Sequence, residues 1–239
     1  MTAMTFTPGE VISYLAMCAT EGASLQRGMN FRLSSTHSVL LMSRRANAPY
    51  ADRIEDDGRV LIYEGHDEPR QVSTRDPKGV DQPEFTPGGG PTQNRLFREA
   101  AAEYRAGTRQ PELVRVYEKI KQGIWVYNGI FRLSDAWQEP SGERQVFKFR
   151  LELLDQQLGA DAASAERMRM DLDHTRLIPT AVKLEVWKRD RGKCVTCGSS
   201  DNLHFDHVLP FSKGGTSLRT ENIQLLCARH NLEKHDRIE

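Results

Sequence analysis

Apolar and polar positions change period several times along the chain. Val11, Tyr14, Leu15 and Cys18 recur at helix spacing, and Thr7-Pro8-Gly9-Glu10 stands just before them. Thr7 suits an N-cap, Pro8 the first turn, and Glu10 the position three residues after the cap. The pattern predicts a helix from there to about Thr20. Val39 to Ser43 and Arg59 to Tyr63 predict strands, the second opened by the Asp57-Gly58 turn. Asp76 to Pro91 is rich in Pro and Gly and predicts a long loop; Asn94 to Arg105 predicts a helix. Leu113 to Ile120, Ile124 to Leu133 and Gln145 to Leu154 are rich in aromatic and β-branched residues, which predicts a curved sheet or β-barrel. Residues 156–176 have no β pattern and predict a helical linker.

The last stretch changes character. Leu203 to Leu209 alternates loosely and predicts a strand. Phe211 to Thr216 carries the turn signal Lys213-Gly214-Gly215, and Asn222 to Lys234 predicts a helix, or a turn followed by a helix. The chain of 239 residues has room for two domains, and the pattern divides it into residues 1–155, the linker 156–176 and residues 177–239. The fold class expected is α+β. No internal repeat is visible, and no apolar run is long enough to span a membrane.

Three of the four cysteines fall in this last unit. Cys194-Val-Thr-Cys197 and Cys227-Ala-Arg-His230 are two knuckles with two-residue spacers, a donor set and spacing that suit tetrahedral zinc. A disulfide framework is the alternative, but it belongs to short secreted chains, and Met1 to Phe6 has no basic or apolar signal segment. Four protein ligands would close the coordination shell, so the zinc is expected to be structural. His204 and His235 are the other imidazoles near the fourth position. Cys18, among apolar neighbours, is expected as a small buried hydrophobe.

Between the knuckles lies Asp206-His207, and Asn222 and Asn231 follow. Asp206 offers a hard oxygen donor to a divalent cation, and Asn231 a second through its amide oxygen. His207 can accept a proton from water near neutral pH, and Asn222 can hold local geometry by hydrogen bonds. A surface Asp-His pair with two capping asparagines is the plainer alternative for each residue taken singly.

Residues 177–236 resemble an HNH endonuclease domain of the zinc-stapled ββα-metal kind. The resemblance is carried by Ile178-Pro179-Thr180-Ala181-Val182, by Trp187 to Cys194, by Asp206-His207-Val208-Leu209-Pro210, by the Gly214-Gly215 pair, by Asn222 to Cys227 and by Asn231 to Lys234. It covers about a quarter of the chain. It implies His207 as general base, Asp206 and Asn231 as holders of a catalytic Mg²⁺ or Mn²⁺, and Asn222 as support for the loop. Many relatives have Cys where His230 stands and His where Asn231 stands. The implied reaction is in-line hydrolysis of a phosphodiester by activated water, giving 5′ phosphate and 3′ hydroxyl.

Residues 48–151 resemble the SRA domain, which reads modified cytosine. The tokens occur in the family's order: Ala48-Pro49-Tyr50-Ala51-Asp52, Asp57 to Gly65, Val114-Arg115-Val116-Tyr117, Trp125 to Phe131 and Val146 to Leu151. The family's Tyr-Asp-Gly is Tyr127-Asn128-Gly129 here, and Glu64 and His66-Asp67 replace its usual Thr and Gly-Gly. The resemblance implies base flipping, with Tyr50 and Tyr63 as the rings that stack on the base and Asp52 as the carboxylate that accepts the N4–H of cytosine. A core role for Tyr63 and a turn role for Asp52 are the structural alternatives.

Together the two halves resemble a modification-dependent restriction endonuclease. That implies double-stranded DNA containing modified cytosine as partner, a bacterial cytoplasm as location and no membrane, with a homodimer left open. A nuclease of other DNA specificity and a non-catalytic methyl-DNA-binding protein are the rival readings. The formal net charge of +0 is unusual for a nuclease, but Lys183, Lys188, Arg189, Arg191 and Lys193 face only Glu185 and Asp190. That run suits a phosphate-binding patch or a solvated helix face equally.

Overall fold

The computed structural model describes residues 6–42, 50–68, 76–154, 176–210 and 213–235. The expected linker, apart from Arg176, lies outside the described residues, as do Ala48, Pro49, Ser43 and Phe211. The fold class is α+β.

Residues 11–154 build one large sheet. Its strands are β1 (Val11–Ser13), β2 (Met29–Asn30), β3 (Ser38–Met42), β4 (Arg53–Glu55), β5 (Val60–Glu64), β6 (Leu113–Lys121), β7 (Ile124–Ser141) and β8 (Arg144–Leu154). The order is β2-β3-β6-β7-β8-β5-β4, with β1 paired to β7 off this path. Among the described strands of this sheet, β3 and β6 run parallel and the remaining pairs are antiparallel. Helix α1 (Tyr14–Glu21) and helix α2 (Gln93–Arg105) pack on it. Phe97, Ala100 and Ala101 of α2 sit in a core with Leu61, Phe131, Phe147 and Phe149.

The first helix begins later than its signals predict. Thr7 and Glu10 do bond to each other, Thr7 N donating to Glu10 Oε2 at 2.9 Å, but they close a turn. The β-branched Val11 and Ile12 pair with Val126 and Trp125 of β7, and Ser13 caps α1 by accepting from Ala16 N at 3.1 Å. Sheet pairing thus overrides a local helix-start signal. Of the residues placed on the buried face, Leu15 is exposed, and Met17 is the residue buried in the helix.

The C-terminal unit contains helix α3 (Thr180–Arg189), strand β9 (Leu203–His207), strand β10 (Ile223–Cys227) and helix α4 (Ala228–His235). Residues 223–227, expected as turn or helix, form a strand because Ile223, Leu225 and Leu226 pair with β9 and enter the core. Gly215 is required by contact: a Cβ there would lie 1.9 Å from Leu209 O.

The two units share a core. Ile120 of β6 and Val126 of β7 pack with Ile178, Val182, Val186 and Phe205. Beneath them Lys183 Nζ contacts Glu118 Oε2 at 2.6 Å and Asn128 Oδ1 at 2.6 Å, Asn128 Nδ2 donates to Glu118 Oε2 at 3.1 Å, and Thr180 Oγ1 donates to Glu118. Glu118 and Lys183 are each 1% exposed. Two expectations change here. Lys183 is no part of a DNA-facing patch, and Asn128, the departure from the family's Tyr-Asp-Gly, serves this interface. Burial alone would raise the Glu118 carboxyl, but Lys183 and the hydrogen bonds hold it below the usual range.

Removing one member of this pair leaves a buried charge unmatched. Lys183→Met is therefore expected to cost about 3–5 kcal/mol, read by urea unfolding, and addition of Glu118→Gln should recover part of it. A loss below about 1 kcal/mol would mean the pair contributes no more than a surface contact.

Candidate nuclease and base-binding sites

Cys194 and Cys197 lie in a tight turn after α3; Gly198 N donates to Cys194 O at 2.8 Å, and Val195 N to Leu225 O at 2.9 Å, which ties the knuckle to β10. Cys227 ends β10 and His230 lies in the first turn of α4. The ligand atoms of Cys194, Cys197, Cys227 and His230 all lie within 4.8 Å of one another. Cys197 Sγ and Cys227 Sγ are 3.8 Å apart; His230 Nδ1 is 3.4 Å from Cys194 Sγ and 3.3 Å from Cys227 Sγ. Tetrahedral zinc bonds would set sulfur–sulfur and sulfur–nitrogen separations of about 3.8 and 3.6 Å. The four residues fit such an ion. His204 does not compete, since its ring meets Thr7 Oγ1 at 3.4 Å, away from the cluster. Burial raises the Cys194 thiol, but the backbone amides of Cys227, Cys197 and Thr196 and the His230 ring bring it down to about 6, toward the thiolate a metal needs.

Asp206 and His207 end β9. Asn222 clamps the segment that follows: Leu209 N donates to its Oδ1 at 2.8 Å, and its Nδ2 donates to Leu209 O and Thr216 O, both at 3.0 Å. His207 Nε2 lies 2.8 Å from Ser217 Oγ, a buried hydroxyl that orients the ring. Lys234 Nζ donates to Asp206 Oδ2 and to the carbonyl of His207. One turn earlier on α4, Asn231 Oδ1 is buried and accepts no hydrogen bond among the described residues. A carboxylate next to a positive charge and an orphaned amide oxygen on the same helix face are a hard donor set of the type a divalent cation takes. Ser217 and Lys234 were not singled out from the sequence. The spacing Asn231 to Lys234, one helical turn, is the signal that could have pointed to the second.

A cleft of about 810 Å³ lies in the large unit, and Tyr50, Asp52 and Tyr63 all line it. Its size falls within the roughly 300–1,000 Å³ common for ligand sites. Asp52 is 5% exposed, and its Oδ1 accepts from Glu64 N at 2.9 Å. Glu64 answers by accepting from Ala51 N at 3.0 Å and from Lys148 Nζ at 2.8 Å. The segment carrying Tyr50 and Asp52 is thereby sewn to the end of β5. Tyr63 is a core residue as well as a cleft residue; its hydroxyl donates to Leu41 O at 3.4 Å. Burial, then the charge of Asp52, keeps its phenol protonated well above the usual value.

His66 also lines the cleft, its ring 6.2 Å from that of Tyr50 and 32° from parallel. Asn94 holds its backbone from both sides, accepting from His66 N and donating to His66 O at 2.9 Å each. Burial lowers its pKa to about 4, so the ring is neutral at pH 7. The sequence had marked His66 only as a departure from the family pattern.

Residues 194–237 match the family model described as HNH endonuclease. The match falls within the C-terminal unit and takes in the four clustered Cys and His residues, Asp206, His207, Asn222 and Asn231. No curated protein matches the chain. Among solved structures, the chain is similar to the SUVH5 SRA domain in complex with fully methylated CG DNA, at 19% identity over 67% of this chain and 97% of that one, with a TM-score of 0.45. It is similar to the DNA modification-dependent restriction endonuclease AspBHI at 20% identity, over 59% of this chain and 67% of that one, TM-score 0.43. It is similar to Arabidopsis thaliana SUVH6 in complex with SAM at 18% identity, over 69% and 29%, TM-score 0.41. No helix among the described residues is long and apolar enough to cross a membrane.

Two outcomes are expected. Purified protein should carry one zinc per chain by elemental analysis, and His230→Ala should lose it; full metal content in that variant would move the fourth ligand elsewhere. The pH dependence follows from His66. Its folded pKa of about 4 lies below the ordinary 6.5, so the unfolded chain binds the extra proton first. Its contribution to stability is complete above pH 6.5 and is lost as pH falls toward 4. His66→Asn should flatten the melting temperature across that window; an unchanged slope would place the titrating group elsewhere.

Proposed function

We propose that the chain is a modification-dependent DNA endonuclease, with a reader unit over residues 1–155 that takes a flipped modified cytosine and an HNH nuclease unit over residues 177–239 that cuts the strand. The observation that carries this reading is the cleft in which Tyr50, Tyr63 and the pinned carboxylate of Asp52 converge, on a chain whose other end is an HNH module. Aromatic faces stack on a base with a gain of about 1–3 kcal/mol each, and a buried carboxylate accepts the exocyclic N4–H of cytosine. A 5-methyl or 5-hydroxymethyl group on that cytosine is the modification we expect it to read.

In the nuclease unit, His207 takes the proton from water as it attacks phosphorus in line with the leaving oxygen. Ser217 holds the ring through Nε2 at 2.8 Å. Asn222 keeps the loop after β9 in the shape that presents His207. Asp206 and Asn231 would hold a hard cation, Mg²⁺ or Mn²⁺, which when bound offsets charge on the phosphate and the leaving 3′ oxygen. Lys234 keeps Asp206 and the His207 carbonyl together from α4. Cys194, Cys197, Cys227 and His230 hold the structural zinc, apart from the chemistry. All four cysteines are free thiols, which suits a reducing compartment such as the bacterial cytoplasm. One nuclease site per chain cuts one strand at a time, so a break in both strands takes a second copy or a second cut.

The test is cleavage of matched plasmids, with and without 5-methylcytosine, in Mg²⁺, Mn²⁺ or EDTA. Cutting should require the modified plasmid and an added cation. His207→Ala should lower the rate by about 100-fold or more while binding to modified duplex persists. Equal cutting of both plasmids would favour a nuclease of other specificity. No cutting in any metal would favour a non-catalytic reader.

A further inference from the structure

We propose that the reader and nuclease units form one rigid ruler, so that the HNH site cuts at a set distance from the base held in the cleft. The inference rests on the reading above and adds where the cut falls. It starts from the β6–β7 hairpin, whose two faces serve different units. Lys119 and Trp125 are cross-strand partners in the register, and both line the cleft. Their neighbours Glu118 and Val126 are also partners, and both turn the other way, Glu118 to Lys183 and Val126 into the core of the nuclease unit. Ile120 joins that core too. Strand alternation thus makes the wall of the cleft and the seat of the nuclease two sides of one two-stranded element.

A second connection runs through the backbone. Gly9 N donates to Tyr127 O at 2.8 Å, Tyr127 N to Glu10 O at 3.0 Å, and Phe205 N to Gly9 O at 3.0 Å. Phe205 immediately precedes Asp206 and His207, while Tyr127 lies two residues from Trp125 in the cleft wall. Gly9 has φ +86°, and a Cβ on it would stand 2.6 Å from Phe205 O, so the strap needs glycine. The path from cleft to catalytic pair is therefore a few hydrogen-bonded residues, and no part of it uses the chain between Leu154 and Arg176. A nuclease unit joined only through that chain would visit many phosphodiesters. One seated on a buried ion pair, a shared core and a backbone strap reaches few.

Full-length protein is tested on end-labelled duplexes that carry a single 5-methylcytosine in several flanking sequences, with Mg²⁺ or Mn²⁺, and nicks are mapped at nucleotide resolution. In the wild type, one phosphodiester should dominate in each cut strand, at the same offset in every context. Gly9→Ala, and separately Glu118→Gln with Lys183→Met, should keep the methyl-dependent binding and spread the cuts over several neighbouring positions. A broad wild-type map that still depends on the methyl group overturns the ruler and leaves the proposed function standing. The wild-type map decides this even if a variant fails to fold. Variant maps as narrow as the wild type would also overturn it, and cutting indifferent to the methyl group overturns the ruler together with the reader role.

Discussion

A carboxylate and an ammonium taken out of water lose several kcal/mol of hydration each, and only close contact and full hydrogen bonding return it. Glu118 and Lys183 meet both conditions at 2.6 Å, with Thr180 and Asn128 satisfying the remaining positions. The arrangement works in one geometry only. Sliding α3 along the sheet would strand both charges, whereas apolar neighbours such as Ile120 and Val182 would tolerate the shift. The ion pair is therefore better understood as a register device between two cores than as a source of stability. It explains why α3, the helix that opens the nuclease unit, sits where it does against β6 and β7.

The same logic recurs at smaller scale. Asp52 and Glu64 each accept a backbone N–H from the other's segment, Glu64 from Ala51 and Asp52 from Glu64 itself. Asn222 does for the loop after β9 what Asn94 does for His66, gripping a backbone by donor and acceptor at once. Segments that carry chemistry are short loops at strand ends, which on their own would sample many shapes. Reciprocal hydrogen bonds from buried polar side chains remove that freedom without adding regular structure.

These devices mark the limit of what could be read in advance. Periodicity located α2, β5, β6 and β8 to within a residue or two, since each buries a regular face. Zinc-type spacing was enough to name four residues that the fold gathers within 4.8 Å. The first helix was misplaced because Thr7 and Glu10 carry a real local signal that pairing with β7 outcompetes. β10 was taken for turn or helix because five residues, with Gln224 among them, are too short a run to show their period. Lys183 looked like surface charge because its partner Glu118 lies 65 positions away in sequence. Ser217 was invisible for the same reason: its meaning comes from the His207 ring, which only the fold brings near.

Asn128 shows how a departure from a family pattern can be misassigned. Seen in the string Tyr127-Asn128-Gly129, it invites a change in what base is read. In the structure its amide donates to Glu118 through Nδ2 and accepts from Lys183 through Oδ1, with Nδ2 also 3.9 Å from Met42 Sδ. A carboxylate there could accept from Lys183 but not donate to Glu118, and two anions would then face a single ammonium. The amide is the side chain of that size that fits between a negative and a positive group, since it offers a donor to one and an acceptor to the other. Asn128 is thus tied to having the C-terminal unit seated on this face of the sheet.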